Sequence, residues 1–434
     1  MTRRSILNAM LIAILLCPNL LPAQSSTPLF SEVTKRQARL MARQFLEERT
    51  IAETFSLPFL AEHEARYQSA FWAISQFHFN GPEVIAGIAK AIEGFRRAGD
   101  ETRRSCLEAI HAIHPDQFHN ALHNWLPLES NAKVFAMTAL FLHQKDSTLL
   151  TEIMRQLARR WPNHASHPIL SVLSDHMSRA AGDRRMQTPP VTALFAHQRM
   201  SGTKNVYSFQ RWDRNQPGLA VIQGYDGRFM RDSAGRLIMI SQLARSGSNL
   251  PFFITNGNTP QGIFRILGTG VSRNLYIGPT PNLQLLMPFE GDWVDYLLPE
   301  SQDSSNPVLA YLERLPDSWR DYLPMREAWL AGRAGRSEII AHGTTIDPDF
   351  FVNRPYHPIS PTLGCLCGKE IWDPSTGRLV ESDQLKLAEN YIRAKGREGY
   401  LFVINLDDQS IPVSHQEVEK LVEDYERAYL DTTH

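Results

Sequence analysis

The chain has 434 residues, enough for two or three domains with cores of their own, and 43% of them are hydrophobic. A formal charge of −1, from 45 Lys and Arg against 46 Asp and Glu, excludes the basic profile of a nucleic-acid binder and implies no polyanionic partner. Four cysteines are too few and too scattered for a disulfide framework in a chain of this size.

Residues Met1 to Arg4 are positive, the run Ala9 to Leu16 is apolar but too short for a permanent membrane helix, and Leu21-Pro22-Ala23 places a small residue before Gln24. Residues 1-23 read as a secretory signal peptide, so the protein is expected in a periplasm-like space with no stable membrane span after cleavage. Cys17 follows Leu16, where a lipid-anchoring signal wants a small residue, so a lipid anchor is not expected. The remaining thiols are Cys106, Cys365 and Cys367. An exported protein that keeps an odd thiol is expected to use it; the alternative is that Cys365 and Cys367 pair with each other or are simply buried. A Cys-x-Cys zinc site needs two further ligands at suitable spacing, which nothing nearby supplies, and no metal or cofactor is expected.

Residues 24-200 read as an all-α, repeat-like domain. In Glu83 to Ala98, Val84, Ile85, Ile88, Ile92 and Phe95 recur at three- and four-residue steps and form one face. Gly99-Asp100 combine a stop and a cap, and Leu107, Ile110 and Ile113 repeat the pattern. Phe118 with Leu122, Val134 with Leu140 and Phe141, and Leu149, Ile153 and Leu157 behind the cap candidates Asp146 and Ser147 extend it. Short helices joined by short turns make antiparallel pairs, which commonly stack into a HEAT-like array, although no clean sequence period is present. A protein partner for this half is one expectation. His119 and His123 stand one turn apart, as a metal pair would, but no Glu follows His119 as a zinc protease motif requires; ordinary half-buried histidines are the alternative. The pairs Arg159-Arg160 and Arg184-Arg185 read as solvated faces, with contact to an anionic wall polymer as the functional alternative.

Thr188-Pro189-Pro190 marks a change of character, and a β domain is expected over 201-410. Val206 to Arg211 alternates, Gly218 to Gln223 precedes the turn Tyr225-Asp226-Gly227, and Arg236 to Leu243 follows the turn Ser233-Ala234-Gly235. These suit hairpins of a sandwich or a small barrel. Leu283 to Phe289 is a further strand, and residues 290-338 form a helical insertion rich in Trp and Tyr, either a wall over a cleft or a capping subdomain. Glu370 to Asp373 and Tyr400 to Leu406 read as strands, Asp383 to Arg393 as a helix, and residues 411-434 as a C-terminal segment whose amphipathic helix runs from Ser414 to Tyr429.

The chemistry is expected at Ile339-Ile340-Ala341-His342-Gly343-Thr344 and, 23 positions after the His, at Thr362-Leu363-Gly364-Cys365. A thiol becomes a good nucleophile as thiolate, so Cys365 needs a base, and His342 at a strand end beside Gly343 is the best candidate. His357 is the alternative base, eight positions before the Cys. Gly364 allows close backbone approach, and the amides of Gly364 and Cys365 are candidates for stabilising an oxyanion.

Upstream lies Asn258-Thr259-Pro260-Gln261-Gly262-Ile263-Phe264, a Thr-Pro-x-Gly turn leading into a strand. With His-Gly and Gly-Cys behind it in that order, the chain resembles the L,D-transpeptidase (YkuD-like) catalytic domain over about residues 205 to 410. That family carries Thr-Pro-x-Gly-x-Phe, then His-Gly, then Ser/Thr-His-Gly-Cys before a basic residue. Met287-Pro288-Phe289 also resembles the family. Here Leu363 stands where the family has His, Cys367 stands where it has the basic residue, and the loop from His342 to Cys365 is longer than usual. The resemblance implies a β-sandwich, an exported cysteine acyltransferase or hydrolase acting on peptidoglycan stem peptides, and a role for the backbone at Gly343 in orienting the His ring. A non-catalytic peptidoglycan-binding or scaffold protein with a degenerate site is the alternative that the altered surround of Cys365 favours.

Overall fold

The computed structural model describes residues 28–180, 187–297 and 306–430. The signal-peptide segment 1-23, Cys17 and the Arg184-Arg185 pair lie outside the described residues. The chain is mixed α + β, helical in its first part and mostly β in its second.

The helical part contains α1 (Arg36–Gln44), α2 (Glu53–Ser56), α3 (Glu64–Phe77), α4 (Pro82–Glu93), α5 (Asp100–Ile113), α6 (His119–Trp125), α7 (Ala132–Lys145), α8 (Leu150–Arg160) and α9 (Pro168–Ala180). Their limits follow local chemistry. Pro82 opens α4 at the position where a missing N–H costs nothing, and Asn131 caps α7 by accepting from the amides of Lys133 and Val134. The left-handed residues His78 and His114 end α3 and α5. The pattern over Glu83 to Ala98 proves to be α4 followed by turns from Gly94, whose backbone lies against the Phe59 ring and leaves no room for a side chain. Helix α3 packs on α5, α5 on α7 and α7 on α9, so alternate helices stack in one layer. Phe71, Ile74, Leu107, Ile110, Phe135, Leu142, Ile153 and Leu173 fill the core between them.

α10 (Val191–Arg199) packs away from that array. Its Val191, Leu194 and Phe195 join Tyr207, Phe209 and Phe229 of the β part.

The strands are β1 (Thr203–Gln210), β2 (Gly218–Gln223), β3 (Ile240–Leu243), β4 (Gly262–Gly270), β5 (Asn282–Leu286), β6 (Ala341–His342), β7 (Leu366–Gly368), β8 (Glu370–Trp372), β9 (Leu379–Ser382) and β10 (Arg397–Asn405). Eight of them close into a barrel in the order β1-β10-β4-β5-β6-β7-β3-β2, and β8 with β9 forms a separate ribbon. This corrects the expected β-sandwich. Two parallel pairings, β1 with β10 and β6 with β7, join what would be open sheet edges, and a closed sheet leaves no edge to protect.

Side chains alternate across the barrel wall. Val206, Ala220, Ile240, Phe264, Leu283, Ala341, Leu366 and Leu401, one from each strand, meet inside, joined by Leu387 and Tyr391 of α15 (Asp383–Arg393, following the four helices of the insertion described next). Tyr207, Phe209, Leu219, Ile263, Phe402 and Ile404 face outward under a second core. The insertion contributes α11 (Trp293–Tyr296), α12 (Pro307–Leu312), α13 (Asp317–Arg320) and α14 (Glu327–Arg333), and the terminal helix α16 (His415–Tyr429) starts with a capping box between Ser414 and Glu417. Tyr296, Tyr311, Trp319 and Met325 of the insertion are buried in that outer core, so most of its aromatic content buttresses the barrel wall.

The two parts grip each other through the segment 246–258. Leu250, Phe253 and Ile254 are packed in the helical core. The His78 ring bonds the Gly247 carbonyl (2.9 Å), Asn256 donates to Glu108 of α5 (3.1 Å), Lys133 of α7 donates to Thr255 (2.6 Å), and the Phe253 ring lies 5.7 Å from His176 of α9.

Candidate active site

Cys365 lies in a bend immediately before β7, and His342 ends β6. The parallel register pairs Ala341 with Leu366 and His342 with Cys367. Because Ala341 and Leu366 point into the barrel, His342 and Cys367 point outward. Cys365, two positions before Cys367, lies next to Ile340 along the same ladder, and the Leu366 amide donates to the Ile340 carbonyl (3.0 Å).

The His342 ring is buried, and its Nδ1 bonds the Gly343 carbonyl. A carbonyl only accepts, so Nδ1 carries the proton and the neutral ring leaves its lone pair on Nε2. Burial lowers the imidazole to about 4, against the pull of that carbonyl, so the ring is neutral at pH 7. Gly343 is required by its neighbour: a Cβ there would collide with the Glu370 carboxylate. Glu370 is buried, accepts from the Thr344 amide (2.8 Å) and the Ser382 hydroxyl (2.7 Å), and is pushed up to about 7 by burial. This carboxyl props the turn that orients the ring.

The Cys365 sulfur is half-buried and unpaired with Cys367; both are free thiols. It donates to the Glu338 carbonyl (3.5 Å) and accepts from the Ile340 amide (3.5 Å), and among the described residues no bond joins it to His342. Burial pushes the thiol up to about 11; the Ile340 N–H and the Arg336 charge oppose that, and the Glu290 and Glu338 carboxylates add to it. The resting pair is therefore an uncharged thiol and an uncharged imidazole.

Gly364 has φ +116°, a backbone state open to glycine. Its N–H is engaged by the Thr362 hydroxyl (3.0 Å) and its carbonyl accepts from Thr259 (2.9 Å). In this structure the Gly364 amide therefore closes a local turn. The Cys365 amide has no partner among the described residues and remains the available donor. The Thr259 bond places the Thr-Pro-x-Gly turn directly on the Gly-Cys turn, 105 positions away in sequence. Gly262 in that turn has φ +132°, and a Cβ on it would stand 2.7 Å from Ala328 of α14, so the insertion closes on it.

His357, the alternative base, is exposed on a turn after Arg354 and makes no bond to Cys365 among the described residues. His119 and His123 stack one turn apart with their rings 6.3 Å from each other, and no group of three or more His, Cys, Asp or Glu among the described residues is arranged to hold a metal. Sequence reasoning missed Arg336, Glu290, Glu338 and Glu370. The first three belong to the two ends of the insertion, where only the fold brings them to the thiol. The available signal for Arg336 was a cation three positions before the apolar run Ile339 to Ala341. No family model, curated protein or solved structure matches the chain.

Proposed function

We propose that the protein is an exported cysteine acyltransferase or hydrolase of the L,D-transpeptidase kind, acting on peptidoglycan stem peptides. The observation that carries the reading is the convergence of three separated stretches: Thr259 bonds Gly364, and the pairing of β6 with β7 sets His342 beside the strand that Cys365 immediately precedes. In the first step the Cys365 sulfur, turned from the Glu338 carbonyl toward His342, gives its proton to Nε2 and forms a bond to the substrate carbonyl carbon. The Cys365 amide faces the developing oxyanion. The imidazolium returns the proton to the leaving amine, and a thioester remains. An amine of a neighbouring stem, or water, then attacks the thioester and the sulfur leaves, giving a crosslink or a cleaved stem.

The exported location is part of the same proposal and rests on the composition of residues 1-23. No helix among the described residues is long and apolar enough to cross a membrane.

A second reading, a peptidoglycan-binding scaffold without chemistry, is favoured by one observation: the thiol is raised to about 11 and bonded to Glu338 rather than to His342. A mass profile of muropeptides after incubation of sacculi with the mature protein and with Cys365→Ser, under reducing conditions, separates the two. New crosslinked or cleaved stems that need the intact thiol support the enzyme. An unchanged profile with protein that still pellets with sacculi supports the scaffold.

A further inference from the structure

A guanidinium with no carboxylate beside it lies against the Cys365 turn. Arg336 is buried, and its hydrogen bonds go to backbone carbonyls alone: Nη1 donates to Phe252 and Asn258 (2.7 Å to the latter), and Nη2 donates to Gly257 (2.9 Å). Carbonyl dipoles solvate a charge without neutralising it, and a buried cation without an anion is costly. Among the described residues no Asp or Glu pairs with Arg336. Its Nη2 fills the space where a Cβ on Gly364 would stand, one residue before the thiol.

We propose that Arg336 is the counter-cation of the Cys365 thiolate, idle while the sulfur holds its proton and stabilising once the proton has left. Burial lowers the guanidinium to about 10, and the charge of Cys365 works against that. The other charged or titratable groups facing this pair are Glu290 and Glu338, which oppose the thiolate, Cys367, which stays a buried thiol, and Lys133, which repels Arg336. The carbonyls that hold Arg336 belong to the segment 246–258, which Glu108, Lys133 and His176 of the helical array grip. Arg336 is thus a positioning residue, and the array fixes it. The inference concerns ionisation of the sulfur and does not depend on what the thiol attacks in nature.

The test is alkylation of the full-length protein with iodoacetamide across pH, read at Cys365 by peptide mass; a sulfur–carbon bond forms from the thiolate as iodide leaves. Cys106 and Cys367 are buried and serve as controls for unfolding. Arg336→Met is expected to slow alkylation at pH 8 by about three- to tenfold and to move its pH midpoint upward, with Arg336→Lys recovering part of the loss. An unchanged rate in a folded Met variant overturns the proposal, and so does an equal loss in both variants, which marks a packing role. Should the Met variant fail to fold, the wild type is compared with Cys365→Ser by guanidinium nitrogen NMR. One arginine Nε resonance must then shift through the pH range of the alkylation midpoint in the wild type and stay still in the serine variant. A spectrum without such a resonance overturns the proposal.

Discussion

The helical array and the barrel reach their stability by different routes. In the array, each contact of α3 with α5, α5 with α7 and α7 with α9 joins helices that are next but one along the chain, so the loops to be closed are short. In the barrel, Thr203 pairs with Arg397 and Ser246 with Thr362, and nothing closes until distant segments meet. The segment 246–258 belongs to the barrel by sequence and to the array by packing, since Leu250, Phe253 and Ile254 lie in the helical core. The thiol turn is tied to that segment: the Gly247 amide donates to Thr362 (2.8 Å), and Gln76 of α3 donates to Pro361 (3.1 Å). The difference teaches that the site is held from both sides, and that the array is part of its foundation.

The largest expected effect lies wholly on the barrel side. His342→Asn should lower turnover of the proposed reaction by roughly a thousandfold while leaving the melting temperature within a few degrees. Stem-peptide assays with the purified variant check this, and retained turnover would remove His342 as the base.

Next comes the junction. Phe253→Ala empties a fully buried ring position in the helical core and should cost about 3–5 kcal/mol of stability. Calorimetry decides whether the comparison survives: one broadened but single transition means that array and barrel melt as a unit, and two separate transitions mean that they do not. A smaller disturbance is Gly247→Ala, whose Cβ would collide with the Ser75 carbonyl at the end of α3. It should cost roughly 1–3 kcal/mol, read by urea denaturation. Slower alkylation of Cys365 should accompany it, because Gly247 holds Thr362.

The smallest effect is a change of slope with pH. Burial raises Glu108 in the array to about 7, and burial lowers its neighbour on α5, His111, to about 4. Between about 4.5 and 7 the fold keeps a proton on Glu108 that the unfolded chain has lost, so this group makes stability fall as pH rises across that window. Between about 4 and 6.5 the unfolded chain binds a proton at His111 that the fold refuses, so this group makes stability fall as pH drops. Glu370 and His342 repeat the same two directions in the barrel. Glu108→Gln should remove a falling slope of at most about 1.4 kcal/mol per pH unit between 4.5 and 7. Urea midpoints measured across pH check it, and an unaltered slope would show that Arg104, which pairs with Glu108 one turn on along α5, and Asn256 already keep Glu108 ionised.

Much of the helical half was legible because its information is local. The apolar spacing in α4 and α5, the start of α5 at Gly99-Asp100 and the cap at Asp146 depend on residues within one or two turns of each other. The order of His342, Gly343, Gly364 and Cys365, which suits thiol chemistry, is also a feature of the sequence and is what the proposed site rests on. The geometry among them was not legible. Whether the sheet halves stack or close depends on β1 meeting β10, a pairing no local pattern encodes. Which amide is free depends on Thr362 engaging the Gly364 N–H, and which cation faces the sulfur depends on carbonyls at 252, 257 and 258 gathering Arg336. Sequence alone determined which groups could react, because side-chain chemistry travels with the residue. Tertiary structure decided which of them face one another and in what state of charge, because burial and pairing are made by segments about a hundred residues apart.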